Sequence, residues 1–256
     1  MPVSRSRRIL RRARTAGVAI LVVLGLVVVG FLAWASTPMM GDRSAALTAW
    51  RDPAVSIHDA GNAVVMEPTG TPSGAGLVFV PGALVDPYAY LYKLSGAVAE
   101  TGLTVVITKP TLNLAFFDQR PLSSFTAHAP EVTDWYVGGH SLGGVRACQL
   151  AQDPQVEGLI LFGSYCANDL SGTDLRVLSI GGGRDGLSTP QKIQDARHLL
   201  PADAELVEIP GMNHGQFGDY GPQAGDRPAT IDDATARREL TDALDAFLGP
   251  APADAG

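Results

Sequence analysis

Two cysteines in 256 residues are too few for a disulfide-built scaffold, and neither stands at a zinc-ligand spacing. No metal and no other cofactor is expected. Positive charge is also scarce: Lys and Arg total 19 against 26 Asp and Glu, a formal net charge of −7. Arg5, Arg7, Arg8, Arg11, Arg12 and Arg14 crowd into the amino end, so the rest of the chain is more acidic still. The basic groove that nucleic acid requires is therefore missing, and no nucleic-acid partner is expected. There is no internal repeat, which excludes a repeat array.

One long uncharged run is present. Residues 16–36 carry no charge over 36−16+1 = 21 positions, directly after the arginines. About 20 apolar residues cross the hydrocarbon core as a helix, whereas a cleaved secretory signal usually has an apolar region of about 7 to 15. Arginines on its amino side hold that end in the cytoplasm and export the chain beyond the run. The expected organisation is a basic cytoplasmic segment (1–15), a transmembrane signal-anchor (16–36), a juxtamembrane stalk (37–53), one α/β domain (54–249) and a disordered tail (250–256). Ala33, Trp34 and Ala35 also look like a small-x-small cleavage site, so the alternative is a secreted protein cut near Ala35. About 220 residues remain after the anchor, enough for a single α/β core.

Residues 136–144 read Tyr-Val-Gly-Gly-His-Ser-Leu-Gly-Gly, a β-branched and aromatic run that passes through Gly-x-Ser-x-Gly into a helical stretch. A serine on such a strand-to-helix turn projects its hydroxyl above a sheet, as a nucleophile must. Gly139 and Gly143 flank Ser141 because the turn is tightly packed. With 29 glycines in the chain the pentapeptide alone is weak, so context has to decide.

Two further strand-like runs supply that context. Residues 175–180 open into a glycine-rich turn carrying Asp185, and residues 205–209 open into a turn carrying His214. Ser, then Asp, then His, each after its own strand, is the order in which an acyl-transfer triad is assembled on a parallel sheet. All carboxyl ends of such a sheet lie on one edge, so the three residues converge there. A lone Asp after a strand is more often a turn former, and Asp86, Asp118 and Asp169 compete as acids near the same edge. The four other histidines, His58, His128, His140 and His198, read as structural or surface residues. His140 adjoins Ser141 but occupies the variable position of the turn, with its ring directed away from the nucleophile. An oxyanion needs two donors, and the backbone amides of Leu142 and Ala83 are the candidates, Ala83 lying in the turn Pro81, Gly82, Ala83 after the strand 77–80.

The remaining pattern fits an α/β sheet. Buried strands are expected over 103–108 and 156–162, an antiparallel hairpin over 54–58 and 63–66, and helices over 88–100 and 230–248. About a dozen residues separate the strand ending at 162 from the next, leaving little room for a lid. Cys148 lies on the helix after the turn and Cys166 comes after the next strand. An oxidising compartment would permit a bridge, but sequence leaves their Cα separation open.

The chain order, the serine turn and the strand spacing together resemble the α/β-hydrolase superfamily, in its small lidless branch that includes dienelactone-hydrolase-like enzymes. The likeness covers residues 54–248, and residues 81–87, 109–115 and 213–222 are similar to one bacterial group of such hydrolases. It implies an α/β-hydrolase fold: a mostly parallel, eight-stranded, doubly wound sheet without a lid, here preceded by a transmembrane helix. The activity implied is that of a serine hydrolase. Ser141 stands where dienelactone hydrolases carry a cysteine, so their lactone substrate does not transfer. The expected function is hydrolysis of a small-molecule or lipid-like carboxylic ester through an acyl-enzyme, outside the cytosol. The alternatives are acyl transfer to a cell-envelope acceptor and a non-catalytic binding module on the same fold. Oligomeric state is not readable.

Overall fold

The computed structural model describes residues 5–249, which fall into two units, one ending at Thr37 and one beginning at Pro38. The expected tail at 250–256 and the first four residues of the basic segment lie outside the described residues. The first unit is a single helix, α1 (Arg5–Ala35), uncharged from Ala16 onward, whose membrane-length span reaches a mean hydropathy of 2.9. At about 1.5 Å per residue it is long enough to cross a hydrocarbon core of about 30 Å.

The second unit starts with α2 (Arg43–Trp50), capped by the Asp42 carboxylate, which accepts from the Ala45 amide at 2.9 Å. It continues through β1 (Val55–Asp59), β2 (Ala63–Pro68), β3 (Ala75–Val80), α3 (Leu91–Thr101), β4 (Thr104–Thr108), the short α4 (Ser123–Thr126) and β5 (Asp134–His140). Then come α5 (Leu142–Leu150), β6 (Val156–Phe162), β7 (Arg176–Gly182), α6 (Pro190–Asp195), β8 (Glu205–Ile209) and α7 (Asp233–Leu248). The eight strands form one sheet in the order β1-β2-β4-β3-β5-β6-β7-β8. β1 and β2 form the expected antiparallel hairpin, β2 pairs antiparallel with β4, and every other pairing is parallel.

Central strands of a parallel sheet are covered on both faces, which is why 77–80 and 104–108 are apolar or β-branched throughout. One face packs against α3 and α7 through Leu91, Leu94, Val98, Leu240 and Leu244. The other packs against α4 and α5 through Phe125, Ala147 and Leu150. α7 turns Ala236, Leu240, Leu244 and Phe247 inward at helical spacing, and Asp232 caps it through the Thr235 amide at 2.7 Å. Residues 163–175, between β6 and β7, contain no helix or strand, so no lid is inserted there.

The expected stalk is not free chain. From Pro38 onward it belongs to the second unit: Met39 bridges to Val85, and α2 packs against α3. The spacing of Ala46 and Ala49 offers a small apolar face too short to stand out in sequence, yet it covers one end of the core.

α3 also carries a fully buried lysine. Lys93 Nζ donates to Asp219 Oδ1 at 2.6 Å and to Asp233 Oδ1 at 3.1 Å, tying α3 to the segment after β8 and to the start of α7. Burial, only partly offset by the lysine, raises the Asp219 carboxyl to about 6.

Candidate active site

β5 ends at His140, and the chain turns at Ser141 with φ 52° and ψ −122° before α5 begins. Such a backbone costs on the order of 1–3 kcal/mol at a residue with a Cβ and persists only where neighbours hold it. The Ser141 N–H donates to the Phe162 carbonyl at 3.1 Å, while its own carbonyl accepts from the Gly144 amide at 3.0 Å and Ser164 Oγ at 2.6 Å. A Cβ on Gly143 would collide with the carbonyl oxygens of Val80 and Pro81, and one on Gly139 with Gly143 itself. Turn and β3 loop therefore meet backbone to backbone, which is why both positions are glycine.

Asp185 comes after β7 and is wholly buried. Its Oδ1 accepts from the amides of Leu187 (2.8 Å) and Ser188 (2.7 Å), and its Oδ2 lies 2.7 Å from Nδ1 of His214, which is also wholly buried. With a carboxylate as partner, Nδ1 carries the proton and Nε2 presents its lone pair. That Nε2 is enclosed and has no hydrogen-bond partner, the Ser141 hydroxyl included. Ligand-free sites often show this gap, which closes around substrate. Asp185 and His214 are thus in direct contact, and Ser141 stands on the same carboxyl edge of the sheet, after β5.

The two candidate oxyanion donors are unspent. Neither the Leu142 amide, at the first position of α5, nor the Ala83 amide has an acceptor among the described residues. The loop around Ala83 is pinned on both sides: Gly82 N donates to Tyr90 Oη at 2.9 Å and Leu84 N to the Asn113 carbonyl at 2.8 Å.

The competing residues are engaged elsewhere. Asp86 accepts from the Tyr88 amide, Asp118 pairs with Arg120, and Asp169 accepts from the Ser171 amide. His58 lies near Glu67, His128 bonds Asn62, and His198 bonds the Asp195 carbonyl.

His140 is a buried structural residue, and its ring lies against His214, a contact the sequence did not suggest, with centroids 4.4 Å apart and its Nδ1 3.0 Å from Tyr90 Oη. Strand alternation puts His140 on the face of Tyr136 and Gly138, where Tyr90 and Phe217 enclose it. Burial, and then the neighbouring His214, hold its pKa well below the usual 6.5, so the ring stays neutral.

Asp226 escapes sequence reading altogether. Its Oδ1 accepts from Gly186 N at 2.9 Å and its Oδ2 from Gly215 N at 2.9 Å. One carboxylate thereby clasps the residues directly after Asp185 and His214. No motif marks it, because its partners, the Arg227 amide included, are all main-chain amides.

The model of the alpha/beta hydrolase family matches residues 76–238, more than half of the chain. The chain belongs to the α/β hydrolase family. Solved structures share the fold of this hydrolase at low identity. An alpha-beta serine hydrolase homologue from Coxiella burnetii is 14% identical with a TM-score of 0.54, over 77% of this chain and 98% of that one. XC6422 from Xanthomonas campestris, described as a serine hydrolase without a lid, is 17% identical with a TM-score of 0.54, over 78% and 96%. Carboxyl esterase 2 from the fungus Tuber melanosporum is 12% identical with a TM-score of 0.54, over 82% and 91%. No curated protein matches the hydrolase in sequence.

Proposed function

We propose that the hydrolase cleaves carboxylic esters by two-step acyl transfer, with its catalytic domain held outside the cytosol by α1. The contact between Asp185 and His214 carries this reading: it fixes the imidazole so that Nε2 can take a proton. In the first step His214 accepts the Ser141 proton as the hydroxyl oxygen attacks the ester carbonyl, and the amides of Leu142 and Ala83 receive the developing oxyanion. His214 then returns the proton to the departing alkoxide, leaving an acyl-serine. Water then attacks the acyl carbon as His214 takes its proton, the bond to Ser141 Oγ breaks with return of that proton to the serine oxygen, and the acid leaves. Asp185 orients and stabilises the imidazolium throughout. Preorganised amide donors of this kind are each worth about 2.7 to 4 kcal/mol toward the tetrahedral intermediate.

Two observations support the location. α1 is long and apolar enough to span a bilayer. Cys148 and Cys166 are joined in a disulfide with a Cα separation of 5.6 Å, and such bonds persist in oxidising compartments. The test of the chemistry is labelling with a fluorophosphonate probe alongside hydrolysis of p-nitrophenyl esters of graded chain length. Labelling of the wild type and none of Ser141→Ala is the expected result. A folded wild type that takes no label, or equal labelling of both proteins, would overturn the reading.

A further inference from the structure

Large apolar side chains that stay exposed in the catalytic unit are few: Met40, Trp50, Phe116, Phe117 and Leu206. Met40, Phe116 and Phe117 are 65%, 71% and 44% exposed, and all three stand on the two segments bonded to the loop that carries Ala83. On one side, Met39 N donates to the Leu84 carbonyl at 2.6 Å and Asp86 N to the Met39 carbonyl at 3.0 Å. On the other, the Asn113 carbonyl receives Leu84 N, and residues 115–117 pack against α5, the helix that begins at the serine turn. Two of the three exposed aromatics of the described catalytic unit, Phe116 and Phe117, and the exposed Met40 thus flank the loop of a candidate oxyanion donor, and an exposed apolar rim marks a surface that meets another apolar phase.

The chain itself names that phase. Pro38 is the first residue of the catalytic unit, and only Ser36 and Thr37 separate it from the apolar helix that ends at Ala35. The hydrolase domain is therefore entered by the chain at its catalytic edge, next to the loop of Ala83. We propose that the rim formed by Met40, Phe116 and Phe117 docks on a lipid bilayer, and that the ester hydrolysed is one presented in that bilayer, not one dissolved in bulk water. The substrate class rests on the hydrolase function proposed above; the docking does not.

The two cysteines of the chain are bridged, so a single introduced cysteine takes a probe cleanly. The full chain carrying Phe116→Cys, labelled with nitrobenzoxadiazole, is placed in phosphatidylcholine vesicles containing doxyl-labelled lipids. The control is Gln155→Cys, an exposed position just before β6 at the opposite edge of the sheet. Blue-shifted emission quenched by doxyl lipid at position 116 and not at 155 is expected. Equal emission at the two sites, or a rim covered by a soluble partner and untouched by doxyl lipid, would overturn the docking. Phe116→Ser should lower turnover of an ester carried in the vesicles by about tenfold, the effect of withdrawing one buried phenyl group, while turnover of a water-soluble butyrate ester stays unchanged. Equal loss on both esters would overturn the substrate class. Lipid quenching of the Phe116→Cys probe together with a wild type inactive on both esters would refute the hydrolase function, and the substrate class with it, and leave the docking standing.

Discussion

Removing the bond between Cys148 and Cys166 should cost the fold about 3 kcal/mol, the loop-closure entropy for cysteines of this spacing. The two residues are 18 apart in sequence and both sulfurs are buried, so the bond closes a loop that contains β6 and Ser164. For a domain of this size each kcal/mol moves the melting temperature by about 2–4 °C, which makes the expected fall about 6–12 °C. Because burial slows a reductant, the direct perturbation is the double variant Cys148→Ala, Cys166→Ala, melted by circular dichroism beside the wild type. Activity supplies a second signature. Cys166 is two residues from Ser164, whose hydroxyl holds the Ser141 carbonyl, so ester turnover should be lost at a lower temperature than helical signal. A double variant with the wild-type melting temperature and turnover would refute both the energetic argument and the claim that the bond steadies the turn.

Asp185→Asn should lower turnover by about 10⁴, since an amide favours the wrong imidazole tautomer; a mild effect here with a severe one from Asp86, Asp118 or Asp169 would show the acid to be misplaced. Asp226→Ala frees two amides beside the acid and the base, and a shift of about 1 Å in such groups costs roughly 100-fold in turnover. Steady-state kinetics with unchanged KM would mark Asp226 as a positioning residue, and a turnover within about twofold of wild type would remove it from the site. His140 stays neutral when folded but takes up a proton when unfolded, so below about pH 6.5 the wild type should lose about 1.4 kcal/mol of stability per pH unit relative to His140→Gln. Asp219, raised to about 6, acts in the opposite sense and is common to both proteins. Denaturant unfolding between pH 5 and 7.5 reads the difference between them, and parallel curves would contradict a buried neutral ring.

Much of this arrangement is legible in the sequence because it is written in local patterns. Parallel strands buried on both faces are continuous apolar runs, and the turn at Ser141 must be flanked by glycines because Val80 and Pro81 press against it. Chain order then puts Asp185 and His214 on one edge of the sheet. The parts that escape depend on which face a side chain takes or on partners that leave no pattern. The contact of the His140 ring with His214 leaves no pattern, because the ring's direction is set inside β5, one residue before the turn at Ser141 begins. Asp226 acts on main-chain amides contributed by other loops, and residues 38–53 lack a long apolar face, so they read as linker although Met39 and α2 are built into the domain. The disulfide needs a distance that only the fold supplies.

The hydrogen bonds from Met39 to Leu84 and Asp86 bear on where this protein can be cut. A truncation at Ala54, the boundary that apolar periodicity suggests, would strip away the strand partner of the loop carrying Ala83 together with the α2 covering of the core. Such a fragment would uncover the side of α3 and of residues 87–90 that α2 packs against and release the loop on one side. A chain beginning at Ser36 or Thr37 keeps every one of those contacts. A cut after Ala35 would therefore leave the domain's own contacts whole.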